Sequence, residues 1–181
     1  VWKPEHVNVV FLAESPPGTS EGYFYEHEPR EGYAEILRTE LFNLLEIRGN
    51  VASALAEFKK RGYFLSDAVK CRCCKGKRPQ VPTSLAKNCG QNWLGRELDI
   101  LNPQKICALG NASLKALSTV QSYEALSAVT AGHDCGKIVE TKRPVLVWVF
   151  PSDRTSIYSE GKEGEFLKFA QEQQLRNFRR E

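Results

Sequence analysis

The sequence predicts an α/β protein: a three-layer α/β/α sandwich around a central, mainly parallel, four-stranded sheet. Three observations carry this prediction. Short apolar runs rich in β-branched residues, Val7–Ala13 and Val145–Phe150, lack polar alternation, as strands buried on both faces require. Amphipathic stretches separate such runs, so strands and helices alternate four times along the chain. No repeat, low-complexity tract or linker interrupts the 181 residues, a length that suits one domain over 1–181.

The elements follow in order. Val7–Ala13 is the first strand, and Ser15-Pro16-Pro17-Gly18 ends it because two prolines remove backbone donors. An irregular aromatic stretch, Tyr23-Phe24-Tyr25, follows. Tyr33–Ile47 is an amphipathic helix with Ile36, Leu37, Leu41, Leu44 and Leu45 on one side, and Val51–Lys60 is a second helix. Tyr63–Val69 is the second strand, ahead of a basic loop rich in Pro and Cys. From Pro82-Thr83-Ser84 a helix runs to Leu101, with Leu85, Cys89, Trp93, Leu94 and Leu98 facing inward. Gln104–Leu109 is the third strand, and Gly110-Asn111-Ala112-Ser113 turns into a short helix over Ser113–Leu117. Lys137–Glu140 and Val145–Phe150 form a hairpin and the final strand, and Glu163–Phe178 is the closing helix, with Phe166, Phe169, Leu175 and Phe178 as core candidates.

In parallel sheets of this kind the ligand site lies beyond the carboxyl ends of the strands. Four segments therefore converge: Glu14–Gly18, Asp67–Cys74, Gly110–Ser113 and Phe150–Arg154. Glu14 at a strand end can orient water or stabilise a developing cation; alone it would read as a capping or surface glutamate. Asp67 can accept hydrogen bonds from a ligand amino group, or equally cap a loop or pair with Lys70. The three consecutive aromatics offer stacking faces for a base, though alternating side-chain directions commit some of them to packing. Ser152, Arg154, Asn111 and Ser113 are candidate anion contacts.

Charge is unevenly spread. The net charge is only +3, but Glu14–Glu46 holds eight Glu against two Arg, while Lys70–Arg96 holds seven basic residues and no acid. Such a basic block suits a polyanion such as nucleic acid, or else a solvated loop. The longest apolar runs fall far short of the ~20 residues of a membrane span, and the first is too short for a signal-peptide core. A cytoplasmic monomer is the expectation.

The six cysteines, without a signal peptide, favour reduced thiols or a metal over disulfides. Cys71 and Cys74 have the C-x2-C spacing of a metal knuckle, and Cys89 follows fourteen residues later. Cys73, His133 or Cys135 is the fourth candidate. Cys107, inside the third strand, reads as core.

Taken together, these segments resemble the uracil-DNA glycosylase superfamily, most closely its iron–sulfur, family-four branch. The strand-end motif Gly-Glu-Ala-Pro-Gly of that branch is similar to Ala13-Glu14-Ser15-Pro16-Pro17-Gly18. Its second motif, Thr-Asn-Val-Val-Lys-Cys-Arg-Pro, is similar to Ser66-Asp67-Ala68-Val69-Lys70-Cys71-Arg72-Cys73. Pro79, Cys89, Trp93-Leu94, Leu98, Leu101, Pro103, Ile106 and Leu109-Gly110 follow the family order, as do Cys135-Gly136-Lys137 and Phe150-Pro151-Ser152. The resemblance implies a DNA glycosylase of base excision repair that hydrolyses the N-glycosidic bond of a flipped-out damaged or deaminated base, uracil by default. It implies Glu14 as the catalytic carboxylate, and Asp67 as base reader and second catalytic candidate. Phe24 or Tyr25 would be the stacking platform and Phe150 a further base contact. Pro17, Lys70, Arg72, Ser113, Ser152 and Arg154 would hold DNA.

Three departures qualify the transfer. Asp67 stands where the family has Asn, and a carboxylate only accepts where an amide also donates. Phe150 stands for a histidine and cannot donate to a base oxygen. The family's first two cluster cysteines have no counterpart, so a [4Fe-4S] cluster or zinc ion would join Cys71 and Cys89 with substitutes among Cys73, Cys74 and Cys135, or the metal is absent. The first two departures favour a rival reading, a non-catalytic nucleic-acid-binding member of the superfamily. A small-molecule nucleoside or nucleotide hydrolase is a third, though it would not need the basic loop.

Overall fold

The computed structural model describes residues 2–16, 23–27, 33–71, 81–149 and 162–171. The sheet has five strands, not four. In chain order they are β1 (Val9–Ala13), β2 (Tyr63–Asp67), β3 (Lys105–Leu109), β4 (Ile138–Val139) and β5 (Val145–Trp148), arranged β2-β1-β3-β5-β4. The first four in that spatial order run parallel, and β4 is antiparallel to β5. The added strand is the first arm of the expected hairpin. Bonds from Gly136 N to Val147 O (2.8 Å) and from Val147 N to Lys137 O (3.0 Å) draw it into the ladder.

Side-chain alternation explains why the strands read as unbroken apolar runs. Val10, Leu12, Ile106, Ala108, Val145 and Val147 enter one core, while Val9, Phe11, Ala13, Cys107, Leu109, Leu146 and Trp148 enter the other. Every residue of β1, β3 and β5 is buried, so neither face of the central sheet meets water. The second core is covered by α1 (Tyr33–Leu44), α2 (Val51–Lys60) and α6 (Lys162–Gln171). Asn50 caps α2 by accepting from Ser53 N at 3.0 Å. The end of α6 is held at the amino edge of the sheet. Lys105 Nζ donates to Phe169 O at 2.8 Å and Tyr63 Oη to Ala170 O at 3.3 Å, satisfying carbonyls a helix end leaves open.

The first core is covered by α3 (Thr83–Cys89), α4 (Gly95–Leu101), α5 (Asn111–Leu117) and a 3-10 segment over Gln121–Ala128. The helix expected from Pro82 to Leu101 is therefore present, but Gly90–Leu94 is a π-turn between α3 and α4. A π-turn inserts extra residue rotation into the helical face. Leu94 takes the inward position and Trp93, expected inside, is 59% exposed. The 3-10 segment had no clear periodicity in the sequence. Leu175 and Phe178 lie outside the described residues. Among the described residues, no helix is long and apolar enough to cross a membrane.

Candidate active site

The order of strands fixes where a site can form. The chain leaves β1 toward β2 on one side and later returns beside β1 on the other as β3. The crevice at the carboxyl ends of β1 and β3 is therefore the topological switch point, the preferred ligand position in open α/β sheets.

Glu14 occupies that crevice. The parallel ladder runs one step past the strands: Ala68 N donates to Ala13 O at 2.8 Å and Val69 N to Glu14 O at 3.0 Å. These bonds fix the Glu14 backbone against the end of β2. The side chain reaches the other way, where Oε1 accepts from Ala112 N at 3.2 Å, at the start of α5. Gly110 lies between, with φ +94°, and its own N–H donates to Trp148 O at 2.9 Å. One half-buried carboxylate is thus tied to both strands that flank the switch point.

The model of the uracil DNA glycosylase superfamily matches residues 2–174. The chain belongs to this superfamily. A search of curated proteins finds no match. Superfamily membership brings a glycosylase-like role and DNA as the polymer that its members act on. Two half-buried carboxylates of this uracil DNA glycosylase superfamily member, Glu14 and Asp67, lie at the carboxyl edge of its sheet.

The other expected residues are placed unevenly. Asp67 is the last residue of β2 and the register partner of Ala13, so it stands beside Glu14 at the same edge. Phe24 does not offer an open stacking face: it is 5% exposed and packs against Tyr25, Phe42 and Phe58 in the second core. Tyr25 is half-buried, stacked between Trp2 (5.9 Å) and Phe64 (6.0 Å), and its hydroxyl is occupied. The hydroxyl accepts from Leu65 N at 2.7 Å and donates to Leu65 O at 3.1 Å. Of the three consecutive aromatics, Tyr23 is the exposed one.

Lys70 is not an open cation. Its ammonium pairs with Glu97 of α4 and donates to Ser66 Oγ at 3.0 Å, and Ser66 Oγ donates to Glu97 Oε1 at 2.8 Å. This set ties the end of β2 to α4. Ser113 is fully buried and its hydroxyl donates to Leu109 O at 3.1 Å, so it does not face a ligand. Pro17, Arg72, Phe150, Ser152 and Arg154 lie outside the described residues.

The cysteines do not assemble a metal centre from what is described. Cys71 is exposed, while Cys89 is 2% exposed inside the first core. Cys73 and Cys74 lie outside the described residues. Among the described residues, no group of three or more His, Cys, Asp or Glu is arranged to hold a metal ion. Cys107 is buried core, and burial, with Cys135 nearby adding to it, pushes its thiol well above the usual range.

Glu97, and the close approach of Gly110 to Glu14, are what sequence reasoning does not single out. The turn at Gly110 was visible; its meeting with a side chain 96 positions earlier was not. Glu97 carries no sequence signal, because a Lys–Glu pair 27 residues apart looks like any other.

The buried phenols give a pH prediction. Burial pushes Tyr25 well above its ordinary value; the Leu65 hydrogen bond offsets part of this and Asp67 adds to the rise. Burial likewise raises Tyr63. A folded group that holds its proton to higher pH contributes stability that is intact below its unfolded value, ~10 for tyrosine, and lost above it. Thermal unfolding between pH 7 and 11 should therefore show a falling Tm above ~pH 10. Tyr25→Phe should flatten part of that fall. It should also cost about 1–3 kcal/mol at pH 7, since Leu65 N–H and C=O lose their partner. An unchanged alkaline limb in Tyr25→Phe would remove Tyr25 from this account.

Proposed function

We propose that this protein is a DNA glycosylase that hydrolyses the N-glycosidic bond of a flipped-out damaged or deaminated base, with uracil as the first substrate to test. The observation that carries the reading is Glu14, anchored through Ala112 N–H at the β1–β3 switch point of a superfamily member. As the C1′–N bond breaks, positive charge grows on the sugar and negative charge on the base. A fixed carboxylate stabilises the first without having to reorganise. Water adds its oxygen to C1′, and its displaced proton leaves toward solvent or the departing base. Glu14 supplies the charge and holds the attacking water; Asp67, beside it, reads the base edge.

Asp67 sets the chemical class of that base. An ionised carboxylate accepts hydrogen bonds and gives none. It favours an exocyclic amine or ring N–H and repels the uracil O4. Asp67→Asn should raise the ratio of uracil release to release of amine-bearing bases by about 10-fold or more, the discrimination expected of a good base-edge contact. An unchanged ratio would take Asp67 out of the reader role.

The deciding assay uses oligonucleotides carrying uracil, hypoxanthine, xanthine or a mismatched cytosine, followed by alkaline cleavage at abasic sites. Strand breaks that depend on Glu14 support the enzyme. Salt-sensitive DNA binding with no breaks on any substrate supports instead a binding member of the superfamily, the reading that Asp67 and Phe150 favour.

A further inference from the structure

We propose that Gly110 is a positioning residue for Glu14, leaving open the space in which the Glu14 carboxylate lies; the proposal rests on the reading of Glu14 as catalytic. A Cβ at Gly110 would stand 2.6 Å from Glu14 Oε1, 3.2 Å from its Cδ and 3.3 Å from its Cγ. All three near neighbours belong to the same side chain. Real Cβ atoms do not approach an oxygen that closely, so one partner must give way. The Gly110 backbone is held by its bond to Trp148 O at 2.9 Å and by the start of α5, where Leu114 N donates to Gly110 O at 3.3 Å. The glutamate is the softer partner. A methyl group at position 110 therefore swings the carboxylate out of the crevice and breaks its 3.2 Å bond with Ala112 N–H.

Gly110 carries a second, separable constraint. Its φ of +94° and ψ of 173° lie in a region that L side chains seldom enter. Substitution thus has two costs: backbone strain, which is blind to residue 14, and collision, which needs the glutamate. A double-mutant cycle separates them, because only the coupled part changes when Glu14 is altered.

The experiment compares wild type, Gly110→Ala, Glu14→Ala, Glu14→Asp and both double variants. Single-turnover base release from a single-stranded uracil oligonucleotide, anisotropy with the same oligonucleotide and thermal unfolding are measured for each. Gly110→Ala should slow release ~100-fold, the loss typical of a misplaced catalytic group, with DNA affinity held within about 3-fold. Adding Gly110→Ala to Glu14→Ala should slow release no further. The shorter Glu14→Asp side chain should recover part of the rate in the Gly110→Ala background, although it lowers the rate alone. The Tm should fall ~5–10 °C with Gly110→Ala and measurably less when Glu14 is already alanine.

If Glu14→Ala blocks release but Gly110→Ala does not, or acts equally in both backgrounds, the positioning role is overturned and the glycosylase reading stands. If release is absent or indifferent to Glu14 with uracil, hypoxanthine, xanthine and mismatched cytosine alike, the glycosylase reading fails and the Tm cycle alone decides: equal losses in both backgrounds overturn the positioning role. Should Gly110→Ala fail to fold, folding of its Glu14→Ala partner supports the proposal, and failure of both overturns it.

Discussion

Glu14→Gln is expected to slow base release by about 1,000-fold, the upper range for losing one preorganised electrostatic stabiliser, while DNA binding and thermal stability stay near wild type. The substitution keeps the length of the side chain. Its Oε1 can still accept from Ala112 N–H, so the anchor across the switch point survives. What disappears is the negative charge that the proposed reaction uses to stabilise the sugar as its bond to the base breaks. Single-turnover alkaline cleavage reads the rate and anisotropy reads the binding. A variant that releases base at the wild-type rate would remove Glu14 from the chemistry. A variant that also lost DNA binding would make it a contact residue instead.

The second large effect is on folding. Gly90→Ala should destabilise the protein by about 3 kcal/mol, lowering Tm by ~6–12 °C. Gly90 opens the π-turn between α3 and α4 and lies against the end of α5. A Cβ there would overlap Ala116 O and Thr119 Oγ1, and would come within 2.8 Å of the Ala116 carbonyl carbon. Thr119 Oγ1 is itself bound to Ala116 O at 2.7 Å, so neither can rotate away without losing that bond. The obstacle is backbone, unlike the flexible side chain that faces Gly110. Gly95→Ala is the control: its nearest contact would be Val120 Cγ1 at 3.3 Å, a side-chain methyl that can shift slightly. Calorimetry of the two variants checks the contrast, and equal losses would mean that helix approach at Gly90 is not the cause.

Much of the fold was legible because buried parallel strands leave an unmistakable pattern. β1, β3 and β5 are apolar at every position, and each turns up within a few residues of its expected bounds. Strand-end logic sets Glu14 and Asp67 at one sheet edge, and the register pairs Asp67 with Ala13, the residue before Glu14. What failed was tertiary detail. Trp93 was assigned inward from a 3.6-residue period, and the π-turn changed the period locally. The resemblance implies Phe24 or Tyr25 as the platform without choosing, because aromatics in an irregular segment can stack or pack, and Phe24 packs with Phe42 and Phe58. Lys70 is expected to hold DNA or to pair with Asp67, and its pairing with Glu97 is not legible because Glu97 arrives on α4, far along the chain.

The hydroxyl of Tyr25 has a consequence for how copies of this protein meet. In a parallel ladder a residue aims its N–H and C=O to the same side, and at Leu65, mid-way along the outermost strand β2, both point away from β1 and into Tyr25. The place where an incoming strand would first pair is already filled from within the same chain. At the opposite margin β4 is two residues long, too short to template growth. Among the described residues, one edge of the sheet is thus blocked at Leu65 and the other is short, which disfavours pairing of its margins with a second copy.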